Sequence, residues 1–453
     1  MAGEHNPYQE YRTSNTGWLD DVPSTWSNAR MDDIALTIRD QVSPKDIASL
    51  QVMHYSIPII QVTGTGQEED GSTIDSNKFQ VKEGDVLFSK LNPRKQTITT
   101  VRSHYQPVVA STEFIVLRLK LSDQRFVQYL LYSQELKSFV CSQVESATKS
   151  HQRIHPSVIS KLKLALPTED ERAAIANFLD HETAKIDALI EKQQQLIKLL
   201  KEKRQAVISH AVTKGLNPTA PMRDSGVEWL GEVPEHWEVK KLKHVVSEPL
   251  MYGANEAALD INHDNPRFVR ITDVKGDGSL KDDTFRSLSE ELAEPYLLSE
   301  ADILLARTGG TVGKSFLYSE SWGRCCFAGY LIKASLDQSK VRAEWLYQYT
   351  KTQYYWEWIA SSQIQATLPN VSADKYNGFL MAVPPDQEQN EILNKLRIDV
   401  DRFNELVSKA ESAIGLMQER RTALISAAVT GKIDVRNWQA PQPSNKSNNN
   451  TGK

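Results

Sequence analysis

The second half of this chain repeats the first, and no other feature narrows the architecture as much. Trp18-Leu19-Asp20-Asp21-Val22-Pro23 with Trp26 returns 211 positions later as Trp229-Leu230-Gly231-Glu232-Val233-Pro234 with Trp237. Glu83-Gly84-Asp85-Val86-Leu87 returns 217 positions later as Glu300-Ala301-Asp302-Ile303-Leu304, and Leu166-Pro167 as Val383-Pro384. Ala206, Ile208, Ser209, Ala211, Val212 and Thr213 return unchanged as Ala423, Ile425, Ser426, Ala428, Val429 and Thr430. A repeat of this size is far longer than a solenoid unit, so two large copies and a pseudo-twofold molecule are expected.

Each copy reads as a globular part followed by a long helix. Thr168 is a cap candidate, Glu169, Asp170 and Glu171 place acid in the first turn, and no proline or glycine follows until Gly215. Ile175, Leu179, Ile186, Leu189, Ile190, Leu196, Ile197, Leu200 and Val207 recur at three- and four-residue steps. That spacing predicts an apolar stripe that packs as core. The second copy runs from Asp386 to Thr430 with Ile392, Leu396, Phe403, Leu406, Val407, Ile414, Met417 and Leu424; Gly431 stops it, and Gly415 weakens its middle. Two such helices are expected to pair antiparallel. The globular parts are mixed. Short apolar runs at 85–88, 114–117, 302–305 and 330–332 suggest strands, while Gln124 to Val140 and Glu344 to Ile359 suggest helices. Between the shared landmarks the two parts diverge strongly, so a scaffold is kept and its surfaces are changed.

Composition excludes several classes. A formal net charge of -5 rules out a uniformly basic nucleic-acid binder, so any DNA contact needs local positive faces. Cys141, Cys325 and Cys326 lack zinc spacing and make a poor disulfide framework, which suits a reducing cytosol. Met1 to Tyr11 has no apolar core for export and no stretch of about 18 apolar residues occurs, so no membrane partner is expected. Gln439 to Lys453 is rich in Pro, Ser and Asn and is expected to be disordered.

Three motifs invite catalytic readings and fail. Thr308-Gly309-Gly310-Thr311-Val312-Gly313-Lys314-Ser315 resembles a phosphate-binding loop, but Thr308 stands where that loop needs glycine, and Phe316-Leu317-Tyr318 reads as strand rather than helix. Glu238-Val239-Lys240 ends like a nuclease motif without the upstream Pro-Asp, and is read as a solvated strand edge. Val383-Pro384-Pro385-Asp386 lacks the flanking residues of an amino-methyltransferase tetrapeptide and any glycine-rich cofactor loop. The ten histidines form no metal-ligand cluster, and His181 and His210 fall on the first long helix. No catalytic and no metal-binding residue is expected.

The ordered set of landmarks resembles the specificity subunits of Type I restriction–modification systems, over nearly the whole chain. The set comprises Gly226-Val227-Glu228-Trp229-Leu230-Gly231-Glu232-Val233-Pro234-Glu235-His236-Trp237 and the mid-domain stretches 84–90 and 301–307. It also includes Pro384-Pro385-Asp386-Gln387-Glu388-Gln389 and the helix ends 204–213 and 421–430. The first half departs at Thr168-Glu169-Asp170-Glu171-Arg172, which lacks the double proline and the Gln. The resemblance implies an α+β fold: two pseudo-twofold-related mixed α/β target-recognition domains separated by a long antiparallel two-helix coiled coil. Its parts would be recognition domains at 1–167 and 216–384, spacer helices at 168–215 and 385–432, and a disordered tail at 433–453. It implies a non-catalytic, cytoplasmic subunit that reads a split, asymmetric site in double-stranded DNA. The expected partners are two adenine methyltransferase subunits and motor–nuclease subunits. Adenosylmethionine, ATP and Mg would be bound by those partners and no cofactor by this chain. About 23 residues of paired helix would span roughly 35 Å, about one duplex turn, making the helix pair a ruler.

Phosphate contacts need Lys, Arg and small polar groups, and base reading favours Arg for guanine and Asn or Gln for adenine. The candidates in the first domain are therefore Lys90, Asn92, Arg94 and Lys95, then Lys149, His151, Gln152 and Arg153. In the second they are Arg307, Thr308 and Lys314, then Gln363, Gln365, Thr367 and Asn370, with Arg270 in addition. Lys198, Lys201, Lys203 and Arg204 read as an exposed helix face. The competing functions are a self-contained nuclease or methyltransferase with a divergent site, against which the missing motifs speak, and a coiled-coil protein scaffold, against which the long divergent domains speak.

Overall fold

A computed structural model describes residues 6–121, 124–144, 152–257, 260–275, 278–362 and 369–440. It divides into two compact units, Met1–Gln193 with Ser412–Lys453, and Gln194–Glu411.

The globular part of the first unit is built on two sheets. The strands Ile98–Thr100, Val86–Ser89, Phe114–Leu119 and Ala35–Ile38 lie side by side, all antiparallel. The second sheet orders Gln41–Val42, Lys78–Gln80, Val108–Ser111, Gln51–Tyr55 and Gln67–Asp70, and its Val108–Ser111 and Gln51–Tyr55 strands are parallel. Val86, Leu87, Phe88 and Ser89 are all buried because that strand is covered on both faces, which explains its unbroken apolar run. The short strand Lys163–Leu166 pairs with Ser27–Arg30 and feeds the long helix Glu169–Lys214.

The second unit keeps the plan in shorter form. Met251–Tyr252, Leu331–Ala334, Ile303–Ala306 and Ser315–Leu317 make its antiparallel sheet, Arg267–Val269 and Cys325–Phe327 its parallel pair, and Leu380–Val383 pairs with Glu238–Lys241 before the helix Asp386–Val429. Ser315–Leu317 is strand, as expected, which removes the helix a phosphate-binding loop would require.

The helices pair antiparallel inside each unit. In the first, Arg421 forms an ion pair with Asp187 at 2.9 Å, and Ile175, Phe178 and Leu179 share a core with Ile425, Ala428 and Val429. In the second, Arg204 donates to Asn404, while Gly215, eleven residues further on, lies against Glu388, sixteen residues earlier. Glu171 N–H donates to the Thr168 hydroxyl, and Gly215 and Gly431 end the helices at φ 76° and 74°. Arg172, the residue that broke the expected motif, donates from its guanidinium to Pro167 O at 2.8 Å; 217 positions on, Gln389 donates to Pro384 O at 3.0 Å. Two different side chains thus tie down the same helix start.

Three expectations are corrected. The stripe does not pack as core throughout: Leu189, Leu196 and Leu406 are 48%, 43% and 41% exposed, because one partner helix covers only one side of each. The helices expected at 124–140 and 344–359 are each broken in two, giving Arg125–Leu131 with Gln134–Ser142, and Ala343–Tyr349 with Gln353–Ser362. Ser133 accepts from Leu136 N–H and Thr352 from Tyr355 N–H, so each restarts a helix through its side chain. The tail expected from 433 also begins ordered. Val435 is buried and the Trp438 ring lies 5.5 Å from that of Phe178, edge to face.

Each globular part is anchored to its helix by one indole–carboxylate bond. Trp26 Nε1 donates to Glu171 Oε1 at 2.9 Å, and Trp237 Nε1 to Glu388 Oε2 at 3.1 Å. Both indoles are fully buried, each removing roughly 150–250 Å² from water. The Tyr8 hydroxyl also donates to Glu171 at 2.6 Å, and burial together with that carboxylate holds the phenol protonated. Glu388 instead takes the more exposed His236.

Candidate nucleic-acid interface

The central buried strand of each domain runs straight into an irregular loop, and a later segment is tied to that loop by backbone hydrogen bonds. In the first domain Asn92 N–H donates to Gln152 O at 2.8 Å and Ile154 N–H to Lys90 O at 3.1 Å, with Leu91 opposite Arg153. In the second, Gly309 N–H donates to Pro369 O at 3.1 Å and Val371 N–H to Arg307 O at 2.9 Å, with Thr308 opposite Asn370. Every one of these positions is offset by 217. The strand Phe114–Leu119 and its counterpart Leu331–Ala334 add a third side, since Lys90 N–H donates to Glu113 O and Arg307 N–H to Tyr330 O.

The loop backbone is equally repeated. Asn92 and Gln96 adopt φ of 45° and 44°, and their counterparts are Gly309 and Gly313 at 73° and 86°. The remaining described non-glycine residue with positive φ, Ala301 at 71°, matches Gly84 at 84°. Left-handed backbone is open to glycine and strained for other residues, and such strain persists where surrounding structure holds it. Here the backbone pairs with 152–154 do so.

The structure therefore brings together Lys90, Asn92, Arg94, Lys95, Gln152 and Arg153 in the first domain, and Arg307, Thr308, Lys314 and Asn370 in the second. Lys149, His151, Gln363, Gln365 and Thr367 lie outside the described residues. Arg270 stands apart: its guanidinium makes a two-point bond to the buried Asp273, at 2.9 and 2.8 Å, and reaches Thr284 O at 3.0 Å. Those contacts commit most of its donors to holding its own turn.

The two frames carry different chemistry. Around the first, Arg94 and Lys95 are exposed, Lys95 Nζ reaches Gln61 at 3.3 Å, and Arg153 pairs with Glu113 at 2.8 Å. Lys90 has its pKa lowered by burial, with the charges of Arg153 and Arg39 adding to the effect and Glu113 opposing it. The second loop is glycine-rich and neutral at its tip. Its cations are Arg307, held 4.5 Å over the Tyr252 ring, and the exposed Lys314. Tyr330, 67% exposed, stands where the first domain has Glu113. Asn92 Oδ1 and Arg307 Nε are buried and have no hydrogen-bond partner among the described residues, which leaves polar capacity at both frames.

Arg39, Glu113, Tyr252 and Tyr330 were missed from sequence. The 217-residue offset could have found the last pair of positions, 113 and 330, once the loop pairing was known. Nothing local marks Arg39, whose charge acts on Lys90, or Tyr252, whose ring lies under Arg307; both come from segments distant in sequence. Among the described residues no cluster of three or more His, Cys, Asp or Glu could hold a metal ion, and no helix is long and apolar enough to cross a membrane.

Comparison with known proteins agrees with this geometry. Residues 23–199 match the family model described as the Type I restriction modification DNA specificity domain. The Type I restriction enzyme MjaVIII specificity subunit of Methanocaldococcus jannaschii is 24% identical over 326 residues, 68% of this chain and 71% of the relative. The StySPI specificity subunit of Salmonella potsdam is 21% identical over 443 residues, 93% of this chain and 92% of that one. A solved structure described as the structural basis underlying complex assembly and conformational transition of the type I R-M system shares the fold. Its TM-score is 0.69 at 17% identity, covering 91% of this chain and 99% of that one. With the internal repeat and the paired helices, these findings make residues 23–199 a match to the Type I restriction modification DNA specificity domain and the chain as a whole similar to the specificity subunits of Type I restriction–modification systems.

Proposed function

We propose that this chain, without catalysing a reaction itself, reads a split, asymmetric site in double-stranded DNA, one half-site per recognition domain (1–167 and 216–384). The observation that carries this is the duplicated loop frame. One backbone arrangement is built twice and furnished once with Lys90, Asn92, Arg94, Lys95, Gln152 and Arg153, once with Arg307, Thr308, Lys314 and Asn370. A repeated frame with changed side chains is what two readers of different bases need, since phosphate contacts position and base-edge contacts specify. Lys149, His151, Gln363, Gln365 and Thr367, which neighbour those segments in sequence, are proposed as further DNA contacts. Arg270 acts by holding its turn.

Two copies of an adenine methyltransferase subunit dock on the paired helices. Two grooves at repeat-equivalent positions support this: one of about 610 Å³ includes Gln418, Ala423 and Ser426, the other of about 580 Å³ includes Lys201, Ala206 and Ser209. The same surface offered twice suits two identical partners, and the exposed leucines of the helix middles offer apolar area for them. Motor–nuclease subunits join the assembly, and adenosylmethionine, ATP and Mg are bound by the partners in the cytoplasm. The helices (168–215 and 385–432) set the spacer between half-sites. A base-modification map of the host genome, with and without this gene, tests the function. Loss of N6-methyladenine from one split motif is expected; an unchanged map with both partners expressed would overturn it.

A further inference from the structure

The second unit contains a cavity of about 250 Å³ beside its recognition loop. Lys275, Lys314 and Lys351 line it together with Tyr347, Trp356 and the buried Thr350, and no described carboxylate does. None of the three ammonium groups has an ion-pair partner among the described residues. Lys351 is instead held with Nζ 4.0 Å from the Tyr347 ring centroid. Burial, and secondarily the charge of Arg204, lowers its pKa to about 8. A partly buried ammonium resting on a ring face gains strongly when an anion arrives.

The cavity is joined to the loop by contact. A Cβ on Gly313 would lie 3.0 Å from Trp356 and 3.1 Å from Ile359, so the indole packs directly on the loop backbone just before Lys314. Three cations, two aromatic rings and a small volume fit one class of ligand: a phosphate carried on a planar ring system. Pockets for larger organic ligands start at roughly 300 Å³.

We infer that this cavity is a nucleotide site, with the phosphate on Lys314 and Lys351 and the base against Trp356. Such a nucleotide comes either from the DNA beyond the bases read at the Arg307 loop or from free solution. Only the DNA source rests on the function proposed above.

The test uses the full chain and its assembled complex. Binding of each of the four 2′-deoxynucleoside 5′-monophosphates is measured by titration calorimetry, alongside inorganic phosphate and the nucleosides. At least one nucleotide should bind more tightly than phosphate or its nucleoside. Lys351→Met and Trp356→Ala should each weaken it about tenfold, the loss of one charge-assisted or stacking contact. Lys90→Ala, in the other domain, should leave it unchanged. If Lys351→Met fails to fold by circular dichroism, Lys314→Ala gives the same reading at an exposed position. A bound duplex that displaces the nucleotide from the complex assigns the site to DNA, and continued binding assigns it to free nucleotide. No binding by any of the four, or equal binding by wild type and variants, would overturn the inference. A normal genomic methylation map alongside that result would leave the DNA-reading function standing.

Discussion

The loop at Lys90–Gln96 and the loop at Arg307–Gly313 have the same backbone and almost nothing else in common. Both hang from a fully buried strand, both are clamped by two backbone hydrogen bonds to a later segment, and both turn left-handed at the same two positions. The first carries Asn92, Arg94, Lys95 and Gln96, while the second carries Gly309, Gly310, Thr311, Val312 and Gly313. Duplication thus preserved what the chain's own polar groups require and released what faces outward. Backbone N–H and C=O groups inside a fold must be paired, so the clamp cannot drift; exposed side chains carry no such obligation. The same division appears at the helix starts, where Arg172 and Gln389 differ in kind yet bond the same carbonyl.

The comparison can be broken most severely at the indole anchors. Glu171 is buried and takes both Trp26 and Tyr8, whereas the Glu388 side chain is 29% exposed and takes Trp237 and His236. Glu171→Ala should therefore destabilise by about 3 kcal/mol and Glu388→Ala by about 1, because only the first strands two buried donors away from water. Urea unfolding of the full chain measures both, and equal losses would show that the anchors are not distinguished by burial. Next comes Gly313→Ala, which forces a side chain into left-handed backbone and against Trp356. A loss of about 2 kcal/mol is expected on the same assay; no loss would mean the loop moves freely.

Replacing Arg94 and Lys95 together with Ala acts on binding rather than folding. The assembled complex should lose affinity similarly for all sequences, and the slope of log affinity against log salt should fall by about 2. A change confined to one half-site base would instead make these residues base readers. The smallest effect belongs to Asn92→Gly, which relieves a positive φ but frees the unfolded chain. Its stability should change by less than about 1 kcal/mol, while the same loop's DNA discrimination falls if Asn92 reads a base. Unchanged discrimination would assign Asn92 to turn geometry alone.

How much of this was legible in the sequence follows the same division. The repeat, the two long helices, their caps and stops, and the strand at Ser315–Leu317 depend on local patterns or on self-similarity, and both are visible in one sequence. The loop clamp was not, because Asn92 meets Gln152 and Gly309 meets Pro369 across some sixty residues with no side-chain signature. The candidate clusters were chosen from residue type and position in each copy, and the clamp joins those that are described. Arg270 was chosen for its charge, and its neighbour Asp273 explains why charge alone misleads. The single helices expected at 124–140 and 344–359 failed for another reason. Ser133 and Thr352 read as ordinary interior residues in a helical pattern, yet each supplies a cap.

The most direct measurement exchanges the 229–383 segment for the matching segment of a Type I specificity subunit and maps N6-methyladenine across the host genome. Two independent readers on one frame predict a motif with one half-site altered and the other unchanged. A change in the first half-site as well would contradict the division of reading between the two domains.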